Sequence, residues 1–133
     1  MKKNVIFWLR LSYWAGAFLD LAAGLMMVFP GLFAFMNKPA VFQPGLDYRF
    51  AMGMGAPLMF GWTVLLLWAD RKPLERKGIL PITLLVIAGE VTTQVWGLAT
   101  GFLLLQPLLP TFAMQLVLAA LFAFSVWNAG KVE

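Results

Sequence analysis

The sequence predicts an all-α fold, namely an integral membrane four-helix bundle with both termini in the cytoplasm. Three observations support this fold class. Hydrophobic residues make up 62% of the 133 positions and charged residues only 12%, whereas a soluble domain is usually near half apolar and a quarter charged. The apolar residues are gathered into four long runs. Lys and Arg lie mainly in segments that a four-span chain would place on one side of a membrane.

The four apolar runs are each long enough to cross a bilayer. They extend over about residues 5–29, 49–69, 79–105 and 108–127. A helix of about 20 residues crosses about 30 Å of hydrocarbon, and backbone groups at that depth must bond to one another in helices or a closed barrel. Strands of a barrel would alternate apolar and polar residues, and these runs do not. We therefore predict a single transmembrane domain over residues 1–133.

The segments between and within the runs complete this plan. The longest connection, Gly31 to Asp47, mixes aromatic residues with Pro and Gly, and we expect it to lie in the outer interface or to fold over the mouth of the bundle. Pro57 lies inside the second run and removes the hydrogen bond to the Gly53 carbonyl, which predicts a kink. Gln106-Pro107 predicts a tight hairpin between the third and fourth runs.

The basic residues predict the orientation of the chain. The side opposite the termini carries only Lys38 and Arg49. The following basic residues would share the side of the termini: Lys2, Lys3, Arg71, Lys72, Arg76, Lys77 and Lys131. The positive-inside rule then places both termini in the cytoplasm of a cell whose inner (plasma) membrane the chain spans. This grouping explains the net charge of +4, so the expected partner is the lipid bilayer and no nucleic acid is expected.

The chain contains neither Cys nor His. Disulfides, thiolate metal sites and thiol nucleophiles are therefore excluded, and the usual ligands of zinc and haem are missing. We expect no metal site and no cofactor, and we favour a function other than that of an enzyme.

Two carboxylates lie deep inside the apolar runs and define the candidate site. At 1.5 Å per residue, Asp20 lies about 21 Å and Glu90 about 18 Å above the cytoplasmic starts of their runs. Gln115 and Pro57, counted from the other side, lie roughly 18–20 Å above the inner face of a ~30 Å core. The sequence therefore predicts one polar layer slightly outside the midplane. An ionisable group there costs at least about 2.5 kcal/mol and points to function.

The candidate site combines this acidic pair with hydrogen-bonding neighbours. Two close carboxylates in a low-dielectric site cannot easily both ionise, so we expect the site to bind a proton, a cation or a small amphipathic ligand, as in a proton-coupled transporter. The candidate ligand- or proton-binding residues are Asp20, Glu90, Gln94, Gln115, Tyr13 and Thr93.

Other interpretations of the carboxylates stay open. They could be structural and hydrogen-bonded to their neighbours, they could contact helices of a larger complex of which this chain is an accessory subunit, or they could be the acid and base of a lipid-modifying enzyme. A transporter would need a homo-oligomer because four helices scarcely enclose a path. Small residues recur every fourth position at Gly89, Thr93, Gly97 and Gly101, which predicts a helix contact through the Gly97 and Gly101 face.

Two stretches carry a family resemblance. They are residues 9–20, LRLSYWAGAFLD, and residues 65–78, LLLWADRKPLERKG. The chain resembles, over most of its length, uncharacterised four-span prokaryotic membrane proteins of the DoxX-like kind, a resemblance that implies the four-span plan and no particular activity. In plan, four helices around buried acidic residues are more distantly similar to the EXPERA group, which includes sterol isomerases and a sterol-binding receptor.

Overall fold

The computed structural model describes residues 1–131, and every regular element in that range is an α-helix. The helices are α1 (Lys2–Val28), α2 (Pro30–Asn37), α3 (Leu46–Asp70), α4 (Ile79–Ala99) and α5 (Leu105–Gly130). Four of them, α1, α3, α4 and α5, are long and apolar enough to cross a membrane. The prediction of an all-helical chain with four long apolar helices is confirmed, and α2 is an additional short helix.

Helix α1 is the central element of the bundle. It makes its most extensive contact with α3 and a second contact with α5, while α4 packs against α5. Around the bundle the long helices therefore follow the order α3, α1, α5, α4, and a hydrogen bond of 3.1 Å from Trp62 Nε1 to Thr83 Oγ1 joins α3 to α4. Two glycines of α1 allow the close approach: a Cβ atom at Gly16 would lie 2.9 Å from Leu66 Cδ1, and one at Gly24 would lie 2.5 Å from Phe60 Cε1. Small residues commonly allow such close approach between membrane helices.

The core is narrow, and much of the apolar surface faces outward. The largest fully buried hydrophobic side chains are Tyr13, Phe122, Leu9, Leu66, Leu80 and Leu108. By contrast, Phe18, Leu58, Leu85 and Leu116 are each more than 70% exposed. These four residues lie one on each long helix, and so much exposed apolar side chain is unusual on a soluble monomer and typical of a membrane-facing surface.

The connection between α1 and α3 folds over one end of the bundle. Pro30 begins α2 at the position where a missing N–H is tolerated. Phe33 packs against Phe42, with ring centroids 5.2 Å apart. The Ala40 N–H donates a hydrogen bond of 3.2 Å to the carbonyl of Phe102. The connection is thereby attached to the turn between α4 and α5.

The junction between α4 and α5 differs from the prediction. The third run was expected to reach residue 105, with a hairpin at Gln106-Pro107, but α4 ends at Ala99 and α5 begins at Leu105. Gly101, at φ 75°, ends the helix, because glycine adopts this left-handed conformation without the penalty of a Cβ atom. Pro107 lies in the first turn of α5, where its missing N–H removes no helical hydrogen bond.

Candidate functional site

The two candidate carboxylates continue the inward faces of their helices, α1 and α4. On α1, half-buried Asp20 lies on the same stripe as buried Ala17 and Gly24. On α4, half-buried Glu90 follows buried Ile87 by one turn. The 3.6-residue period of the helix keeps each carboxylate on the side that packs against the other helices.

Glu90 and Gln115 are in direct contact. Gln115 is only 6% exposed, and its side-chain Nε2 donates a hydrogen bond of 3.3 Å to Glu90 Oε2. Asp20 lies near enough to Glu90 for their charges to interact. The structure thus brings Asp20, Glu90 and Gln115 together from α1, α4 and α5.

Three oxygen atoms of this region have no hydrogen-bond partner. Among residues 1–131, the buried Asp20 Oδ2, Gln94 Oε1 and Gln115 Oε1 are each without one. All three can accept a hydrogen bond or bind a cation. Leaving a buried acceptor unpaired costs about 1–3 kcal/mol. We call Asp20, Glu90, Gln94 and Gln115 the acidic cluster. Its oxygen atoms are of the type that accepts a proton, a cation or a hydrogen bond.

Tyr13 and Thr93 do not join the acidic cluster. The buried Tyr13 hydroxyl donates a hydrogen bond of 3.0 Å to the carbonyl of Pro73, in the connection between α3 and α4. Thr93 is exposed, and its hydroxyl donates to the Gly89 carbonyl of its own helix at 3.0 Å. Tyr13 therefore attaches that connection to the bundle, and Thr93 lies on the outward face of α4.

Pro57 lies outside the level of the acidic cluster. The contacts of its neighbours define the register, because Gly55 lies opposite Met27 and Phe60 lies opposite Gly24. These two positions on α1 are about 6 to 10 Å from Asp20 along the axis, at 1.5 Å per residue. Pro57 is itself exposed, and α3 continues as one helix through it. Pro57 therefore supplies no ligand group to the acidic cluster.

Gly97 and Gly101 do not form one stripe along a helix. Gly101 lies beyond the end of α4, and a Cβ atom at Gly97 would lie 2.8 Å from Leu103 Cδ1. The close approach at Gly97 thus occurs within the chain, against the turn that leads to α5. The exposed small and hydroxyl residues of α4 lie nearer its middle, at Gly89, Thr92 and Thr93.

A polar network at the opposite end of the bundle was not predicted. Arg10 Nε lies 3.3 Å from Asp70 Oδ1, and the indole N–H of Trp14 donates to Asp70 Oδ2 at 3.3 Å. Arg76 donates a hydrogen bond to the Trp68 carbonyl and its guanidinium lies 3.3 Å from the ring centroid of that residue. The sequence could have indicated this ion pair, because Arg10 and Asp70 lie near the same end of two antiparallel apolar runs.

Two serines form a further link that the sequence analysis did not identify. Ser12 Oγ and Ser125 Oγ are fully buried and lie 2.8 Å apart. Both oxygens also lie within hydrogen-bond distance of the Trp8 carbonyl oxygen, at 2.9 and 3.1 Å. Because each hydroxyl has one proton, one donates to the carbonyl and the other donates either to the carbonyl or to its partner serine. The pair connects α1 to α5 and leaves neither hydroxyl unpaired, which is typical of a structural contact between membrane helices.

The ligands that the acidic cluster offers to a cation are two carboxylates and two carboxamide oxygens. Such oxygen ligands suit hard cations and protons. Within residues 1–131, no group of three or more His, Cys, Asp or Glu side chains converges as a metal site would require. Comparisons of the chain with protein-family models, curated proteins and solved structures give no significant match.

Proposed function

We propose that the chain is a four-span protein of the cell inner (plasma) membrane, with both termini in the cytoplasm. The four long apolar helices support this placement. So does the distribution of charge, because among the basic residues only Lys38 and Arg49 lie at the end of the bundle that holds α2. A short cytoplasmic segment rich in Lys and Arg orients a membrane protein, and the connection between α3 and α4 is such a segment.

We further propose that the acidic cluster binds a proton or a small monovalent cation. The observation that carries this proposal is the pair of interacting carboxylates, Asp20 and Glu90, together with three buried acceptor oxygens that have no hydrogen-bond partner: Asp20 Oδ2 and the carboxamide oxygens of Gln94 and Gln115. Two negative charges that interact in a low-dielectric site repel each other, and one shared positive charge offsets that repulsion. A small amphipathic ligand with an ammonium group would supply the same chemistry, and coupling to transport would follow if the site opens to both sides of the membrane.

Infrared difference spectroscopy on the protein in nanodiscs tests the shared proton. Spectra recorded between pH 5 and pH 9, a range that lies above the titration of ordinary carboxyl groups, should show a protonated carboxyl band. The band should disappear in Asp20→Asn and in Glu90→Gln. Asp47→Asn is the matched control, because Asp47 is exposed in the first turn of α3 and should leave the band unchanged.

A second series distinguishes a proton from a metal cation. If Na⁺ or K⁺ occupies the cluster, raising its concentration at constant pH should reduce the carboxyl band in wild type and change nothing in Asp20→Asn. If both carboxyl groups titrate near pH 4, as solvated acids do, neither form of binding occurs and the proposal is wrong.

A second function is favoured by the outward face of α4. Gly89, Thr92 and Thr93 are exposed there, and both Thr hydroxyls already bond to carbonyls of α4 itself. A face of small residues lets another membrane helix approach closely, so we propose that α4 contacts a second copy or a larger complex. The chain has no Cys, so Thr93→Cys introduces a single reactive site. Exposed Val95→Cys is the control, because it lies about 160° around α4 from Thr93. A cross-link formed by Thr93→Cys and not by the control would support the contact. The mass of the cross-linked product would distinguish a second copy from a different protein. Equal cross-linking from both sites would contradict the proposed contact.

A further inference from the structure

A groove lies at the end of the bundle that holds α2, away from the acidic cluster. It is an open groove of about 560 Å³ between the end of α2 and the first turns of α5. The residues that line it are Phe35, Met36, Lys38, Gln106, Pro107 and Pro110. Its volume falls in the range of sites that hold one small molecule, which are also mostly apolar with a few polar groups.

Lys38 is the only charged residue in this lining. Its backbone is left-handed, at φ 41° and ψ 56°, where its N–H caps α2 by donating to the Ala34 carbonyl. Gly or Asn adopts this conformation more readily than Lys. Among residues 1–131, no carboxylate lies within ion-pair distance of the Lys38 ammonium. The chain therefore keeps an unpaired positive charge at an unfavourable backbone position, beside an apolar groove.

We propose that this groove binds a long-chain fatty acid. Its single carboxylate matches the single charge of Lys38, and the Gln106 carboxamide, also in the lining, can donate a hydrogen bond to the second carboxylate oxygen. The hydrocarbon chain would contact Met36, Pro107 and Phe35. Phe35 is 73% exposed, so the groove is open on that side and a chain longer than the groove can continue into the surrounding lipid.

This site is separate in position and in charge from the acidic cluster. The cluster offers acceptor oxygens and negative charge to a cation, whereas the groove offers an ammonium and a carboxamide N–H to an anion. Loss of either site by mutation should leave ligand binding at the other unchanged.

Equilibrium binding of radiolabelled oleate tests the proposal. The full chain is placed in nanodiscs of zwitterionic phosphatidylcholine, and wild type is compared with Lys38→Gln and Lys38→Arg. We expect Lys38→Gln to weaken oleate binding at least about tenfold, equivalent to about 1.4 kcal/mol, and Lys38→Arg to stay within about twofold of wild type. Lys3→Gln is the control, because Lys3 is also exposed and lies in the first turn of α1, at the other end of the bundle.

Two further variants separate charge, backbone and groove. Lys38→Gly keeps the left-handed backbone and removes the charge, so it should fold and should bind oleate as weakly as Lys38→Gln. Met36→Trp keeps the charge and fills the groove, so it should also lose binding. The proposal is overturned if Lys38→Gly binds oleate like wild type, or if oleyl alcohol, which lacks the carboxylate, binds as tightly as oleate. Displacement of oleate by phosphatidylglycerol in the bilayer would assign the groove to a phospholipid headgroup instead and would equally refute the fatty acid.

Discussion

Replacing Gly24 with Ala should destabilise the contact between α1 and α3. The new Cβ atom would lie 2.5 Å from Phe60 Cε1 and 2.8 Å from Phe60 Cδ1. Both distances are below normal van der Waals contact, so the ring or the helices must shift, and overpacking of this kind costs about 1–3 kcal/mol. Ala is favoured over Gly inside a helix by about 1 kcal/mol. The net loss of stability should therefore be about 1 kcal/mol.

The matched control separates packing from helix propensity. Gly61 lies in α3 near Phe60, and a Cβ atom there would meet nothing within 4 Å. Gly61→Ala should therefore show the gain in propensity alone, and the difference between the two variants should equal the packing cost, about 1–3 kcal/mol. The measurement is reversible unfolding in mixed detergent micelles, followed by circular dichroism.

The same comparison defines the result that would refute the packing described for α1 and α3. Equal unfolding free energies for Gly24→Ala and Gly61→Ala would mean that the Phe60 ring does not lie against Gly24. In the double variant Gly24→Ala/Phe60→Leu, the smaller side chain should restore part of the lost stability, because the clash involves ring atoms that Leu lacks.

Two further predictions concern polar contacts between helices. In a double-mutant cycle, Gln115→Leu and Glu90→Leu should show a coupling energy of about 1 kcal/mol, the magnitude found for hydrogen bonds between membrane helices. A coupling energy of zero in the unfolding assay would mean that the 3.3 Å hydrogen bond between these two side chains is not formed. Asp70→Asn should cost about 1 kcal/mol, because the Arg10 side chain of the pair is 56% exposed although that of Asp70 is only 15% exposed. That loss should shrink as salt is raised, because the Arg10 side of the pair is open to solvent, and a loss independent of salt would contradict the ion pair.

The lengths of the apolar runs predicted most of the fold. The first run, residues 5–29, became α1 at Lys2–Val28, and the second, residues 49–69, became α3 at Leu46–Asp70. Hydropathy locates such helices well because a membrane span must be continuously apolar. The end of α4 could not be found in this way, because the turn that follows Gly101 is itself rich in Phe and Leu. Backbone conformation, and not hydropathy, ends that helix.

Depth along the axis predicted the contact between Glu90 and Gln115, although it wrongly placed Pro57 at the same level; helix faces predicted less. Glu90 and Gln115 were assigned to one level by counting 1.5 Å per residue from the ends of their apolar runs, and the structure has a hydrogen bond between them. Tyr13 shares the α1 stripe with Asp20, yet it lies two turns away and bonds to Pro73. Thr93 is only one residue from Gln94, but each residue rotates the direction of the side chain by about 100°. A pattern of faces alone does not determine which side chains meet.

The early end of α4 also bears on membrane thickness. With 21 residues, α4 is about 31 Å long at 1.5 Å per residue, whereas α1, with 27 residues, is about 40 Å long. The longer helices can adapt to a thin bilayer by tilting, but α4 has no spare length with which to adapt to a thick one. A bilayer thicker than about 30 Å would have to become thinner beside α4 or draw the Gly101 turn into hydrocarbon. Hydrophobic mismatch would thus sort this protein toward thin membranes. The bilayer around the protein would be most deformed beside α4.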